Sequence, residues 1–512
     1  MSTACLPPEA WIHILVDRLG DMRADDEVLA DDGHALTGRM LAAAVEEAAG
    51  HLAGLGVRGG DRVLVVNENC VALAVAIFAL SRLGAWVVPL NARLTGEELS
   101  AISAHATPRL ALYMTGVSPA AREHAERAGA EPVDLGPIGE VMAGPVADSV
   151  PEPVETDGRD QVAALIYTSG TTGTPKGVML THANLLFVAR MSGHLRRLSP
   201  KDRVYGVLPV SHVFGLASMF LGSLCYGTRL RLVARFDAKA AARALEEDRV
   251  SVFQGVPAMY ARLLELATVR GAPLAAPDLR YISAGGAPLD MTLKRRVEEM
   301  WGLALHNGYG LTETAPTVST TDIDRPAADD TVGPPMPGLG IRIEDPATGR
   351  EAGPGAIGEL CVKGPLVMKG YYRDPDGTAR VLEPDGWFHT GDLARRDAEG
   401  NLYIVGRLKE LIIRSGFNVY PVEVEAALNT HPDVALCAVV GRPVDGNEEV
   451  VACVQPVAGS ALDEAALRAH VEARLAPYKR PSRYLIMAEL PATPTGKLLK
   501  ATLARMVRDE MR

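Results

Sequence analysis

The chain has 512 residues, 47% of them hydrophobic and 22% charged, with a net charge of −11. That length is more than one hydrophobic core serves, so two or more domains are expected. The acidic balance, with no lysine/arginine run, gives a nucleic-acid role no electrostatic support and disfavours an anionic membrane surface as a partner.

The N-terminus, Met1 to Pro8, lacks a basic region followed by an apolar core, so no secretory signal is expected. Leu41–Leu55 carries a helical pattern, Arg58-Gly59-Gly60-Asp61 a turn, Arg62–Val66 a strand, Val71–Leu83 a helix and Ala85–Leu90 a strand. This βαβ rhythm predicts a parallel sheet with helices on its faces. The apolar stretch Val71–Leu90 is broken by Ser81, Arg82 and Gly84, which excludes a membrane span. The proline- and acid-rich stretch Gly144–Asp160 has the composition of a surface linker. Six scattered cysteines (Cys5, Cys70, Cys225, Cys361, Cys437, Cys453) make no Cys-x-x-Cys pair. Neither a metal cluster nor a disulfide scaffold is expected, and a reducing, cytoplasmic setting is.

The apolar run Val162–Ile166 leads into Tyr167-Thr168-Ser169-Gly170-Thr171-Thr172-Gly173-Thr174-Pro175-Lys176-Gly177. A loop of glycines and hydroxyls can curl its N–H groups around an anion, and Lys176 adds a mobile charge. It is not a Walker A loop, because Pro175 precedes the lysine and Gly177, not a hydroxyl, follows it. Phosphate binding is the predicted role.

Strand patterns recur at Val204–Leu208, Arg229–Val233, Val250–Phe253 and Tyr281–Ser283, separated by helical ones. From Thr331 to Tyr403 the chain turns glycine- and proline-rich with short alternating segments, which predicts a small antiparallel β unit. Another α/β pattern of domain size follows Gly406-Arg407-Leu408-Lys409.

The loop at 167–177 resembles the signature loop of the adenylate-forming superfamily, which includes acyl-CoA synthetases, and further segments extend that resemblance almost to the end of the chain. Leu208-Pro209-Val210-Ser211-His212-Val213-Phe214-Gly215-Leu216 resembles the segment beside the family's carboxylate pocket. Alone, His212 reads as a structural histidine; with the loop upstream, it reads as a pocket-lining gate. Tyr281 to Leu289 implies that Gly286 and Ala287 flank adenine. In Asn307-Gly308-Tyr309-Gly310-Leu311-Thr312-Glu313-Thr314 the resemblance has Tyr309 stack on adenine, Thr312 contact the α-phosphate and Glu313 bind magnesium. A rigid π face and a hard oxygen ligand suit those roles. Asp392, in Trp387-Phe388-His389-Thr390-Gly391-Asp392, and Arg407 would hold the ribose, Lys409 would act as a hinge, and Lys497, in Pro494-Thr495-Gly496-Lys497, would be the catalytic lysine. Gly416 and Phe417 lie in a hairpin that lines the pantetheine tunnel in relatives.

The resemblance implies an α/β multidomain fold. A large N-terminal domain (1–407), made of parallel αβ-layered subdomains plus a small antiparallel β unit, would bind ATP and carboxylate. A small mobile α+β C-terminal domain (408–512) would carry Lys497. It also implies an AMP-forming acid–thiol ligase that uses ATP, Mg2+ and coenzyme A, with a small carboxylic acid as partner. Its nucleotide site would comprise Thr168, Ser169, Gly170, Thr171, Thr172, Gly173, Thr174, Lys176, Gly286, Ala287, Asn307, Tyr309, Gly310, Thr312, Asp392 and Arg407, and its carboxylate pocket His212, Val213, Phe214, Gly215 and Gly308.

Fifteen residues after Lys497 leave no room for a carrier domain, so a free-standing ligase, with a homodimer possible, is expected. A fatty-acyl-AMP ligase is disfavoured because no insertion fits between Asp392 and Lys409. Gly308 stands where malonate-specific relatives place an arginine, which disfavours a small diacid, although Arg262 keeps that option open. Val213, Phe214, Met219, Val256 and Met259 suggest an apolar pocket. The run Ser415–Pro421 tips the expectation to a medium- or long-chain fatty acid, with an aromatic acid of the cinnamate or benzoate type as the alternative. A degenerate nucleotide sensor would have lost Glu313 or Lys497, and both are present.

Overall fold

The computed structural model describes residues 6–7, 9–168, 175–415, 417–444, 447–457, 459–492 and 498–510. Two eight-stranded sheets and a five-stranded one make up the larger part of the chain. In the first sheet, Val162–Thr168, Trp86–Asn91, Arg62–Asn67 and Leu110–Tyr113 are parallel neighbours. In the second, Leu305–Gly310, Tyr281–Ala284, Val252–Gly255, Arg203–Gly206, Arg229–Leu232 and Glu27–Ala30 run parallel. Antiparallel strands close the edges of both, so each sheet is mixed, not purely parallel.

The helix Val71–Arg82 shows why the sheets pack as they do. It is apolar on every side, and a helix of that kind has to be enclosed. Its residues Val71 to Ser81 are all buried, and they share one hydrophobic core with Val63 and Val65 of the first sheet and Leu29, Val204 and Leu230 of the second. The strand Arg62–Asn67 is buried at all six positions, as expected where helices cover both faces of a parallel sheet. Arg62 begins it and is itself buried; its guanidinium donates to the carbonyls of Gly60, Ala106, Thr107 and Val150.

That last bond reaches the stretch Gly144–Asp160, most of which is exposed, as expected of a surface linker. The segment forms no helix, yet it is anchored: Arg58 donates to Ser149 O at 2.9 Å, and the Glu152 amide donates to Gly60 O at 3.0 Å. Buried guanidinium groups need acceptors, and irregular chain supplies them as free carbonyls.

The antiparallel unit expected over Thr331–Tyr403 is a five-stranded sheet in the order Arg350–Glu351, Gly340–Asp345, Gly358–Lys363, Phe388–Arg396, Leu402–Arg407. A short 3-10 turn, Leu408–Glu410, follows its last strand. Beyond it lie the hairpin Ile412–Arg414/Phe417–Val419, a three-stranded sheet (Val434–Val444, Asn447–Pro456, Arg483–Ile486) and helices Pro421–Asn429, Glu464–Glu472 and Lys500–Glu510. These elements form two hydrophobic clusters of their own, whose buried members all fall between Ile412 and Val507. No helix among the described residues is long and apolar enough to cross a membrane.

Candidate nucleotide and acid site

The strands that flank residues 169–174 pair antiparallel, with Thr168 opposite Lys176. Ser169, Gly170, Thr171, Thr172, Gly173 and Thr174 lie outside the described residues, as do Gly416 and Lys497. The strand that Lys176 opens pairs on its other edge with Gly370–Tyr371. That pairing sets the Lys176 ammonium 4.7 Å from the centre of the Tyr371 ring. The Tyr371 hydroxyl in turn donates to Glu313 Oε1 at 2.8 Å. Burial, and then the neighbouring Glu313 carboxylate, push the phenol far above its ordinary value, so it remains a donor. Sequence reasoning missed Tyr371. It sits in Met368-Lys369-Gly370-Tyr371-Tyr372 with no charge to mark it, and only strand pairing shows its role.

Glu313 is carried by the 3-10 turn Thr312–Thr314. The preceding strand ends at Gly310, where an added Cβ would lie 1.8 Å from Pro316 O, so no side chain fits. Thr312 is buried. Asn307 is buried too, and its amide donates to Thr331 O at 3.2 Å, which ties the strand to the neighbouring loop.

Tyr309 donates to Asp392 Oδ2 at 2.6 Å, and Arg407 Nε lies 3.2 Å from Asp392 Oδ1. Asp392 and Arg407 face each other in antiparallel register, and Asp392 is only 4% exposed. Burial first, then the Asp392 charge, hold the Tyr309 phenol well above its usual range. Lys409 follows on the 3-10 turn. Partial desolvation, then repulsion from Arg407, lower its ammonium; Lys176 adds to the lowering, while Glu410 and Asp392 oppose it.

A cavity of about 280 Å³ is lined by Glu313, Glu359, Tyr371, Arg380, His389, Thr390 and Gly391 among others, Thr390 and Gly391 directly preceding Asp392 on its strand. Arg380, which faces it, is a second cation that the sequence did not single out. Glu313 offers a carboxylate at this wall with one oxygen held by Tyr371, and a hard anionic oxygen of this kind suits Mg2+.

The acid-pocket segment is positioned by Asn69. Its buried amide donates to Gly206 O at 2.9 Å and Leu208 O at 2.8 Å and accepts from the Val210 amide at 2.9 Å, linking the two sheets. A π-helical turn, Phe214–Leu221, follows. A Cβ at Gly285 would lie 3.2 Å from the Phe214 ring and 3.7 Å from Gly308 O, so Phe214, Gly285 and Gly308 are neighbours. Val256 approaches Gly286 from the far side, and Gly286 holds a positive φ of 78°. Ala287 follows it, half-buried.

Of the expected pocket residues, Val213, Gly215 and Met219 are buried, the last two on the π-helical turn that packs against the core. His212 is exposed, and its Nδ1 accepts from the Phe214 amide at 3.3 Å. Arg262 is exposed and pairs with Glu265 one helical turn away, so it does not serve a second carboxylate. In the later hairpin, Phe417 is exposed and stacks on Tyr478 at 4.8 Å.

The two-sheet α/β fold, with Lys176, Tyr371 and Glu313 brought together beside a polar cavity, is compatible with a nucleotide-handling enzyme. The AMP-binding enzyme family matches residues 16–372, and the AMP-binding enzyme C-terminal domain matches residues 423–497. The chain belongs to this family, and so to the adenylate-forming superfamily. It is 38% identical over 476 residues to a feruloyl-CoA synthase of Amycolatopsis sp, covering 92% of this chain and 94% of that protein. The ATP-bound crystal structure of MatB from Rhodopseudomonas palustris has a TM-score of 0.86 at 31% identity, covering 98% of this chain and 100% of that one. O-succinylbenzoate coenzyme A synthetase (MenE) from Bacillus subtilis, in complex with ATP and magnesium ion, has a TM-score of 0.81 at 29% identity, covering 96% and 98%.

Proposed function

We propose that this protein is an AMP-forming acid–CoA ligase acting on an aromatic carboxylic acid. The observation that carries the reading is the convergence of Tyr309, Asp392 and Arg407 beside the cavity of Glu313 and Tyr371, with Lys176 over the Tyr371 ring. An aromatic face, an ionised carboxylate and a set of cations are what adenine, ribose hydroxyls and a polyphosphate require.

In the first step an oxygen of the acid attacks the α-phosphorus of ATP, and the bond to pyrophosphate breaks, leaving an acyl-adenylate. In the second the CoA sulfur attacks the acyl carbon and AMP leaves. Both reactants of the first step are anions, and two unit charges about 4 Å apart repel by about 4 kcal/mol at an effective dielectric near 20. Lys176 and Arg380 offset part of this. Mg2+, when held by Glu313, supplies further positive charge against the phosphate oxygens. Asp392 and Arg407 fix the ribose so that attack begins from an aligned geometry. Thr312 contributes a hydroxyl to the α-phosphate. Lys497 and Gly416 enter through the sequence alone, the first for adenylation and the second for the pantetheine chain. Lys409 would be the pivot between 1–407 and 408–512.

The likeness to a feruloyl-CoA synthase and an O-succinylbenzoate synthetase supports an aromatic acid over the medium- or long-chain fatty acid expected from Ser415–Pro421. That run belongs to the hairpin after the 3-10 turn and is remote in sequence from Phe214, Gly285 and Gly308. The Phe214 ring beside the backbone of Gly285 and Gly308 is a flat apolar surface of the kind a planar acyl group would stack on. The test is acid-dependent ATP–pyrophosphate exchange, then CoA-dependent AMP release, over hydroxycinnamic, benzoic, arylacetic, fatty and dicarboxylic acids. Aromatic acids should give the highest kcat/KM in both; best turnover with a long aliphatic chain would overturn the aromatic assignment.

A further inference from the structure

We propose that Glu344, Cys361 and His389 form a zinc site in the five-stranded sheet, with Glu359 beside it as the further carboxylate able to close on the ion. The sequence hides it, because its ligands come from three strands: Gly340–Asp345, Gly358–Lys363 and Phe388–Arg396. Antiparallel register sets Glu344 opposite Glu359 and Cys361 opposite His389.

The candidate donor atoms lie close enough for small side-chain shifts to bring them onto one ion. His389 Nδ1 lies 3.4 Å from Cys361 Sγ, 3.2 Å from Glu359 Oε2 and 3.9 Å from Glu344 Oε2. The candidate ligand atoms of Glu344, Cys361 and His389 all fall within 4.8 Å of one another. Tetrahedral zinc with ordinary Zn–N, Zn–O and Zn–S bonds separates its ligand atoms by about 3.4–3.6 Å. A thiolate, an imidazole and two carboxylates make a donor set that zinc accepts more readily than magnesium or calcium.

The surrounding hydrogen bonds support the assignment independently. Metal-bound histidines usually give their other ring nitrogen to a carboxylate. Here His389 Nε2 is 2.8 Å from Glu383 Oε1. Glu359 turns its other oxygen, Oε1, to the Gly391 amide at 2.9 Å, and Glu344 turns its own Oε1 to Arg342 Nε. Three of the four side chains thus have their far atoms tied, which leaves Nδ1, Sγ and two Oε2 atoms converging. Three carboxylates (Glu344, Glu359, Glu383) face one guanidinium, that of Arg342, whose Nη2 also reaches Glu383 Oε1 at 2.6 Å. Desolvation lowers the His389 imidazole, but the carboxylates Glu359, Glu383 and Glu344 outweigh it and raise the ring above its ordinary value, so the ion would enter by displacing a proton from the ring and one from the thiol. Glu359 and His389 line the cavity described above, which gives an ion a way in. Binding forms the Zn–S and Zn–N bonds and releases both protons to solvent.

The full chain, stripped with a chelator, should take up one zinc per molecule in equilibrium dialysis. Cobalt in its place should give the near-ultraviolet charge-transfer absorption of a metal thiolate. Cys361→Ser should abolish that band and Glu344→Gln should weaken zinc binding at least tenfold, while Cys437→Ser should change neither. Zinc should also slow hydrogen exchange at the Gly391 amide in the unaltered protein, a readout that does not depend on variants folding. No stoichiometric zinc, or a thiolate band that survives Cys361→Ser, would overturn the site. None of these measurements uses ATP or an acid, so their outcome is separate from that of the ligase assignment.

Discussion

Tyr309 and Asp392, 83 residues apart in sequence, are joined by a 2.6 Å hydrogen bond from phenol to carboxylate. The bond fixes both partners before any nucleotide arrives: the ring cannot rotate freely, and the carboxylate keeps Oδ1 toward Arg407. A hydrogen bond to a charged group contributes about 1.5–3 kcal/mol. Tyr309→Phe keeps the ring and removes the bond, so the KM for ATP in pyrophosphate exchange should rise roughly tenfold, with a smaller change in kcat. Asp392→Asn should cost more, since it removes the charge that Arg407 pairs with. Combined, the two should cost less than their sum, because they break the same unit.

The Tyr371–Glu313 bond makes a second, separable claim. Tyr371 holds one oxygen of Glu313 and so aims the carboxylate. Tyr371→Phe should raise the Mg2+ concentration needed for half-maximal adenylation several-fold while leaving the KM for the acid unchanged. Glu313→Gln should reduce adenylation by roughly a hundredfold, about 2.7 kcal/mol of transition-state stabilisation. If Tyr371→Phe left the Mg2+ dependence unaltered, the hydroxyl would be a packing feature only.

The proposed acid pocket makes Gly285 a test position. A methyl group there would lie 3.2 Å from the Phe214 ring, which would have to shift. Gly285→Ala should therefore lower kcat/KM for aromatic acids about tenfold, roughly 1.4 kcal/mol, through KM for the acid and not for ATP. Phe214→Ala should relieve part of the effect in the double variant.

What the sequence disclosed was what lies in contiguous strings. Tyr309, Thr312 and Glu313 share one octet, and Asp392 and Arg407 each end a short motif, so each could be named alone. What it concealed depends on register. Tyr371 reaches Glu313 only because a two-residue strand pairs with the edge beyond Lys176. The cluster around His389 exists because three antiparallel strands align. Arg62 looked like an ordinary strand opening and is instead a buried anchor for Gly144–Asp160. The exposure of Arg262 and its pairing with Glu265 are likewise set by the face of the helix it occupies, which no motif announces.

The pH dependence of stability follows from His182. Its Nδ1 accepts the Ile12 amide at 3.1 Å, which calls for neutral imidazole, and its ring stacks on Trp11 at 4.8 Å. Burial, with a smaller contribution from His13, lowers it from 6.5 to about 3. Below 6.5 the unfolded chain binds a proton that the folded chain does not. The contribution is therefore complete above that value and is lost as pH falls toward 3. Between pH 7 and pH 5 the loss should be about 2 kcal/mol, since each pH unit carries up to 1.36 kcal/mol per proton. Urea unfolding should show the midpoint falling over that range, and His182→Gln should flatten the fall while lowering stability overall.

Lys500, three residues after Lys497, is held between Glu410 Oε2 at 3.1 Å and Glu425 Oε1 at 2.8 Å. Burial alone would lower its ammonium, but the carboxylates outweigh that and raise it, so it stays charged. The clasp joins the turn carrying Lys409 to the helix that begins where the Lys497 segment ends. Lys500→Met keeps the stem and strands two carboxylates, costing about 2 kcal/mol of stability, less than a fully buried pair because both retain some water. It should also let the segment bearing Lys497 wander. Adenylation should fall about tenfold, while thioester formation from supplied acyl-adenylate and CoA should fall less than threefold. Lys497→Ala should show the same asymmetry in extreme form, with pyrophosphate release abolished and the second half-reaction largely spared. Lys500→Arg should restore adenylation; equal losses in both half-reactions would mean that the clasp serves stability alone.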